Sequence, residues 1–277
     1  MDVHPEITKL FNQFDPEVRR RKLSNDDAIR YVVFILKTGL PWHHLPVRGV
    51  SYHTVFKRFQ SWVNGGVIDR VWKHLIQLYS QKQLAINAGW FRELFIDATM
   101  IKNVGGRDCL GRNPTDRGRL ATKMSVVVDN AMTPLSCEFS PANVHDTVPA
   151  VQTIDGIGCK LRNDNRYRNV IVGDKGYVSA KLSEAIRAMN MRLLTPRKKN
   201  STNRQRLKRS DKDLLRKRHK VENTFCRLDK FKKIHFRYEK SLKAFRGLTM
   251  LAFTLLTISN IQKIDDLSTS LTPSFSD

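Results

Sequence analysis

Three acidic residues stand in settings that could do chemistry together. Asp97 follows the apolar run Leu94-Phe95-Ile96, and Asp174 ends a second one, Val170-Ile171-Val172-Gly173. Glu222 lies in a basic stretch, Arg218-His219-Lys220-Val221, with helical patterning. A carboxylate at the end of a buried strand is costly unless something compensates it. For a cluster of carboxylates the usual compensation is a hard divalent cation, which prefers oxygen ligands. Two such ions sharing a carboxylate activate water or a hydroxyl and stabilise a leaving oxygen, so no nucleophilic side chain is required. Taken alone, each acid has an ordinary structural reading: Asp97 and Asp174 as strand-end or turn residues, Glu222 as a salt-bridged surface group. Asp146 reads as a helix N-cap or as a carboxylate near the site, and Asp129 as a turn residue.

The elements that must position these residues fall into two blocks. Residues 1–85 read as a helical domain. Ser24 caps a helix with Asn25-Asp26-Asp27 in its first turn and Ile29, Val32, Val33 and Leu36 on one face. Gly39 and Pro41 end it, and Trp42-His43-His44-Leu45 forms a short segment. Ser51 caps a helix from Tyr52 to Val63, and Val67 to Leu84 continues the pattern after Gly65-Gly66. Short helices with a basic, capped penultimate member predict a helix-turn-helix-like DNA-binding unit, with Tyr52, His53, Lys57 and Arg58 toward the duplex. The plainer alternative is a small dimerisation bundle with those residues on a solvated face. Trp42 and Trp62 read as core.

Residues 86–265 read as a mixed α/β catalytic domain. The predicted strands are Glu93 to Met100, Lys123 to Asp129, Leu135 to Phe139, Val170 to Gly173 and Arg192 to Thr195. Helices open at Asp146-Thr147 and Ser179, one long helix runs from Ser210 to about Phe231, and an apolar one from Lys240 to Ile261. The segment Lys198 to Arg209 reads as a loop, and residues 266–277, Ser/Thr-rich, as a disordered tail. No internal repeat is visible.

The chain has 277 residues and a formal charge of +23. That excess attracts polyanions, with nucleic acid as the leading partner. Arg192 to Arg246 carries 21 Lys and Arg against 5 Asp and Glu, a net +16 around the third acid. A membrane partner is not expected, because no basic amphipathic helix or lipidation signal supports one, and the apolar stretch Gly247 to Ile261, shorter than the roughly 20 residues that span a bilayer, reads as a buried helix. Cys109, Cys137, Cys159 and Cys226 lack zinc or redox spacing and read as free thiols.

Phe95-Ile-Asp-Ala-Thr-Met-Ile-Lys102, Val172-Gly-Asp-Lys-Gly-Tyr177 and Arg218-His-Lys-Val-Glu-Asn-Thr-Phe225 resemble, in order, the three catalytic blocks of DDE transposases. The nearest likeness is to the bacterial insertion-sequence group usually numbered five and its Harbinger-type eukaryotic relatives. Ala121-Thr-Lys-Met124, Ser140-Pro-Ala-Asn-Val-His-Asp146, Thr38-Gly-Leu-Pro-Trp-His-His-Leu-Pro46 and Tyr52-His-Thr-Val-Phe-Lys-Arg-Phe59 extend it over residues 20–262. The resemblance implies a ribonuclease-H-like catalytic domain that cleaves and transfers DNA strands at element ends. Asp97, Asp174 and Glu222 would then hold Mg²⁺ or Mn²⁺, as two ions. It also implies a homo-oligomer acting on double-stranded DNA, in the cytoplasm of a bacterium or the nucleus of a eukaryote. Arg218 matches an arginine that contacts DNA phosphate. The family's lysine seven positions after the glutamate is Asp229 here, with Lys230 next to it, and its tyrosine three before the arginine is Leu215. A silent, domesticated DNA-binding protein and a metal nuclease without strand transfer are the alternatives.

Overall fold

The structure, a computed structural model, describes residues 3–16, 22–159, 161, 168–197 and 208–270. Four helices come first: α1 (Pro5–Phe14), α2 (Asn25–Thr38), α3 (Tyr52–Asn64) and α4 (Val67–Ile86). The Ser24 hydroxyl accepts from the Asp27 N–H at 3.0 Å and opens α2; the Ser51 hydroxyl accepts from His53 N–H at 3.2 Å and opens α3. Gly39 ends α2 at φ 75°, in the left-handed region. A Cβ there would also meet the Lys232 side chain at 2.9 Å, so glycine lets two elements approach closely. Gly65-Gly66 makes the tight link between α3 and α4, whereas residues 39–51, with a 3₁₀ turn at Trp42–His44, join α2 to α3.

The rest is a seven-stranded mixed sheet with helices: β1 (Glu93–Asn103), β2 (Gly111–Arg112), β3 (Leu120–Val128), β4 (Pro134–Pro141), α5 (Thr147–Asp155), β5 (Asn169–Val172), α6 (Ala180–Ala188), β6 (Met191–Leu194), α7 (Arg209–Arg216), α8 (His219–Leu228), α9 (Lys232–His235), β7 (Phe236–Arg237) and α10 (Leu242–Ser270). β4, β3 and β1 run antiparallel to their neighbours, and β1, β5 and β6 are parallel, giving the central order β4-β3-β1-β5-β6. This is the ribonuclease-H-like arrangement that the sequence led us to expect. Central strands are buried on both faces, which is why they read as continuous apolar runs rather than alternating ones.

α10 is apolar nearly all round, the pattern of a helix covered on every side. Leu242–Leu267 is long and apolar enough to cross a membrane, yet its most apolar part is mostly buried inside the protein, so it is a core helix. It packs along α4 and also touches α3, α9 and β4. The Trp72 and Phe253 rings lie 6.3 Å apart, and Asn260 donates to the Thr133 hydroxyl at 2.8 Å. A second tie is Asp129, fully buried beyond β3. It accepts from the Tyr79 hydroxyl of α4, from Trp90 Nε1 at 2.8 Å, and from the Ala131 and Thr133 N–H groups at 2.9 Å each. Asp129 is thus a turn residue, as read from sequence, and also a joint between helices and sheet.

Three expectations change. The long helix from Ser210 to Phe231 is broken into α7 and α8. The break has no Pro or Gly; its hydrogen bonds shorten to three-residue spacing, from Lys220 N–H to Lys217 and from Val221 N–H to Arg218. That overwound turn delivers Lys217 to Glu93 at 2.7 Å and Arg218 to Asp97. Arg58 does not face outward: its guanidinium pairs with Asp15 at 3.2 Å and donates to the Leu23 carbonyl at 3.0 Å, leaving the side chain 10% exposed. Finally, α10 runs past Asp265 to Ser270; residues 271–277, and 198–207 of the expected loop, lie outside the described residues. All four cysteines are free.

Candidate active site

Register decides where the first two acids meet. Phe95 of β1 pairs with Val172 of β5 in parallel. Two residues further along each path stand Asp97, still within β1, and Asp174, two residues past the end of β5. Adjacent strands lie about 4.8 Å apart. Asp97 is held on the central strand, its Oδ1 accepting from the Ala98 N–H at 2.8 Å. Asp174 opens a 3₁₀ turn, Lys175–Tyr177, with its Oδ1 accepting from the Gly176 N–H at 2.7 Å. A Cβ at Gly176 would stand 2.9 Å from that same oxygen, which explains the glycine in Asp174-Lys175-Gly176-Tyr177.

Glu222 arrives on α8. Val221, Thr224 and Leu228 are the buried face of that helix, which packs on β1 and β3. Lys220 and Thr224 bond the carbonyls of Asn130 and Met132 and fix its height. Glu222 is left on the exposed edge. There one guanidinium joins it to Asp97: Arg218 Nη1 lies 3.0 Å from Asp97 Oδ2, and Nη2 pairs with Glu222 Oε1. Such a fork is the strong, directional form of ion pair.

Burial pushes the Asp97 carboxyl up to about 6. The Ala98 N–H and Arg218 oppose that shift, while the charges of Asp174 and Glu222 add to it, so the three acids feel one another. Among the described residues, no three His, Cys, Asp or Glu side chains are gathered closely enough to hold one ion as they stand. The donor set is nevertheless all oxygen: Asp97 lies on the central strand, Asp174 two residues past the end of its parallel neighbour, and Glu222 is already tied to Asp97 through Arg218. These residues fit a hard divalent cation once Arg218 is elsewhere.

A fourth acid adjoins the site. Asp146 stands before α5 but makes no capping bond; it pairs instead with Lys123, whose side chain is only 4% exposed and also donates to the Val144 carbonyl. A Cβ on Gly176 would lie 3.5 Å from Asp146 Oδ2, so Asp146 flanks the same glycine as Asp174. Sequence reasoning placed Lys123 in a strand and in a family-like motif but gave it no role at the site. A lysine at the start of a strand reads as solvated, and only the central position of β3 buries it.

The remaining expected DNA contacts are dispersed. His53 and Lys57 are exposed on α3, with Tyr52 half-buried and its ring stacked on His53 at 4.0 Å. Lys230 is exposed just after α8, while Asp229 pairs with His235 at 3.0 Å. Trp42 is half-buried: it stacks on Phe59 at 5.3 Å and donates to Glu239 at 3.1 Å, so the Pro41-to-Pro46 segment joins the two blocks.

Comparison with known proteins identifies the family. Residues 5–72 match a transposase family of the IS4/5 type. A Burkholderia cepacia protein described as a transposase for insertion sequence element IS402 is 27% identical over 164 residues, 58% of this chain and 74% of that one. A second Burkholderia cepacia protein, the 16.2 kDa product of insertion element IS402, is 34% identical over 110 residues, 36% of this chain and 70% of that one. Among solved structures, the chain is similar to the piggyBac transposase synaptic complex with hairpin DNA (11% identity, 98% of this chain and 77% of that chain, TM-score 0.47). It is also similar to the catalytic domain of Mos1 mariner transposase (16% identity, 70% and 93%, TM-score 0.28). With the Transposase DDE domain matching residues 91–257, more than half of its length, the chain belongs to the DDE transposase family, in its IS4/5 branch.

Proposed function

We propose that Asp97, Asp174 and Glu222 are the catalytic acids of this transposase. In this reading they hold two Mg²⁺ or Mn²⁺ ions and direct strand cleavage and strand transfer at the ends of a mobile element. What supports this reading is the pairing of Phe95 with Val172, which sets Asp97 beside the strand end that leads into Asp174, and the single guanidinium that Asp97 shares with Glu222. When bound, the metal supplies an activated oxygen nucleophile and charge stabilisation of the leaving oxygen. The chain's own part is positioning. The central strand fixes Asp97, the Gly176 N–H orients Asp174, and the buried face of α8 sets Glu222 at the rim. Arg218 stands where a phosphate oxygen would enter.

Binding of double-stranded DNA rests on the charge of +23 and on its concentration around α7 and α8. Tyr52, His53 and Lys57 on α3, and Lys230 after α8, are the further contacts. Two element ends must be brought together for transfer, which calls for more than one copy of the chain.

The test incubates the purified chain with supercoiled plasmid and Mn²⁺. Nicking should be lost in Asp97→Ala, Asp174→Ala and Glu222→Ala. Equal nicking by wild type and all three variants would remove the site from consideration. Joined products with end-bearing oligonucleotides distinguish a transposase from a nuclease that only cuts.

A further inference from the structure

We propose that Arg218 is the resident cation of the carboxylate site and competes with divalent metal for it, leaving Asp97 and Glu222 when an ion enters. The inference rests on the metal reading above and goes beyond it, because it assigns the chain its own exchangeable counter-ion.

The geometry is specific. The fork of Arg218 spans the gap between the acid on the sheet and the acid on the helix, with Nη1 on Asp97 Oδ2 at 3.0 Å and Nη2 on Glu222. Asp97 is 19% exposed, so without a cation its charge would be largely buried and close to two others. A metal ligand oxygen lies about 2.0–2.1 Å from Mg²⁺. An ion at that distance from Asp97 Oδ2 would meet the guanidinium nitrogen already on the same oxygen, and like charges at such range repel strongly. Both cannot stay.

Arg218 is also built to move. It sits in the overwound turn between α7 and α8, its side chain 28% exposed at the rim. Glu222, the outer partner, is 49% exposed. Rotation about the arginine stem carries the guanidinium outward without disturbing α8. Once outside, it faces an incoming phosphodiester, an anion whose oxygens match the same fork. Metal entry and phosphate capture then become one exchange.

The experiment is a Mn²⁺ titration of the full chain without DNA, followed by the electron paramagnetic resonance signal of free Mn²⁺. Wild type, Arg218→Ala, Arg218→Gln and Asp97→Asn are compared, with circular dichroism to verify folding. Removing the competitor should tighten Mn²⁺ binding by roughly tenfold, equivalent to about 1.4 kcal/mol. The glutamine variant, uncharged but of similar reach, should move the same way. Unchanged or weaker binding in the folded Arg218 variants, with Asp97→Asn impaired, overturns the competition and leaves the metal site standing. If Asp97→Asn titrates like wild type, the carboxylates are not ligands, and the metal reading falls together with this inference.

Discussion

Replacing Asp97 by asparagine should make the metal-free protein more stable while removing its catalysis. The ordinary carboxyl value is 3.8 and the folded one about 6, raised by burial first, with Asp174 and Glu222 adding and the Ala98 N–H and Arg218 opposing. Because the folded value is the higher one, the contribution belongs to the protonated form. It is complete below about 3.8 and is lost as pH rises through about 6. At about 1.36 kcal/mol per pH unit the interval corresponds to about 3 kcal/mol. Asparagine is neutral throughout and retains that amount. In EDTA at pH 8, Asp97→Asn should therefore melt higher than wild type, by about 6 °C for a chain of this size. At pH 4 the two should nearly coincide. Thermal unfolding followed by circular dichroism from pH 4 to pH 8 reads the difference directly, and Mg²⁺ should raise the wild-type midpoint more than the variant's. A variant less stable than wild type at pH 8, or a gap that does not change with pH, would refute the reasoning.

Two further outcomes concern the framework. Tyr79→Phe removes the hydroxyl that donates to the buried Asp129 and leaves Gln83, 3.1 Å from that hydroxyl, without its acceptor; a loss of about 1.5–3 kcal/mol is expected in urea unfolding, and an unchanged midpoint would show that the joint carries no stability. Arg192 grips Asp211 with two bonds of 2.6 and 3.0 Å and holds its carboxyl below the usual range. A lowered folded value stabilises above the unfolded pKa of about 3.9 and fades as pH falls through the folded one. Arg192 is 45% exposed, so Asp211→Asn should cost at most about 1 kcal/mol at pH 7, with the cost shrinking as pH falls below the unfolded value, in paired urea titrations.

Much of the catalytic frame was legible because buried strands announce themselves. The apolar runs before Asp97 and Asp174 located β1 and β5, and the Ser24, Ser51 and Ser179 caps located helix starts. Register was not legible: nothing in either run says that Phe95 faces Val172, the pairing that puts Asp97 beside the strand end leading into Asp174. Long-range partners were equally hidden. Arg58 looks like a free basic residue on a capped helix, and only its neighbour Asp15, 43 positions earlier, turns it inward. The break between α7 and α8 has no local breaker; the ion pairs from Lys217 and Arg218 to β1 accompany it. β7, two residues long, carries too little pattern to be read, although its fully buried Arg237 bonds the Thr122 hydroxyl and the Asp108 carbonyl at 2.7 Å each.

The placement of α10 bears on how the molecule assembles. It follows every other described element in the chain, yet it lies against α4 in the helical block and touches β4 in the sheet. Neither layer has its full wall until that helix is made. A polypeptide interrupted before residue 242 would leave apolar faces of α4 bare and would gather with its own kind rather than fold. The helical block and the sheet are thus completed together, by the last described element to leave the ribosome.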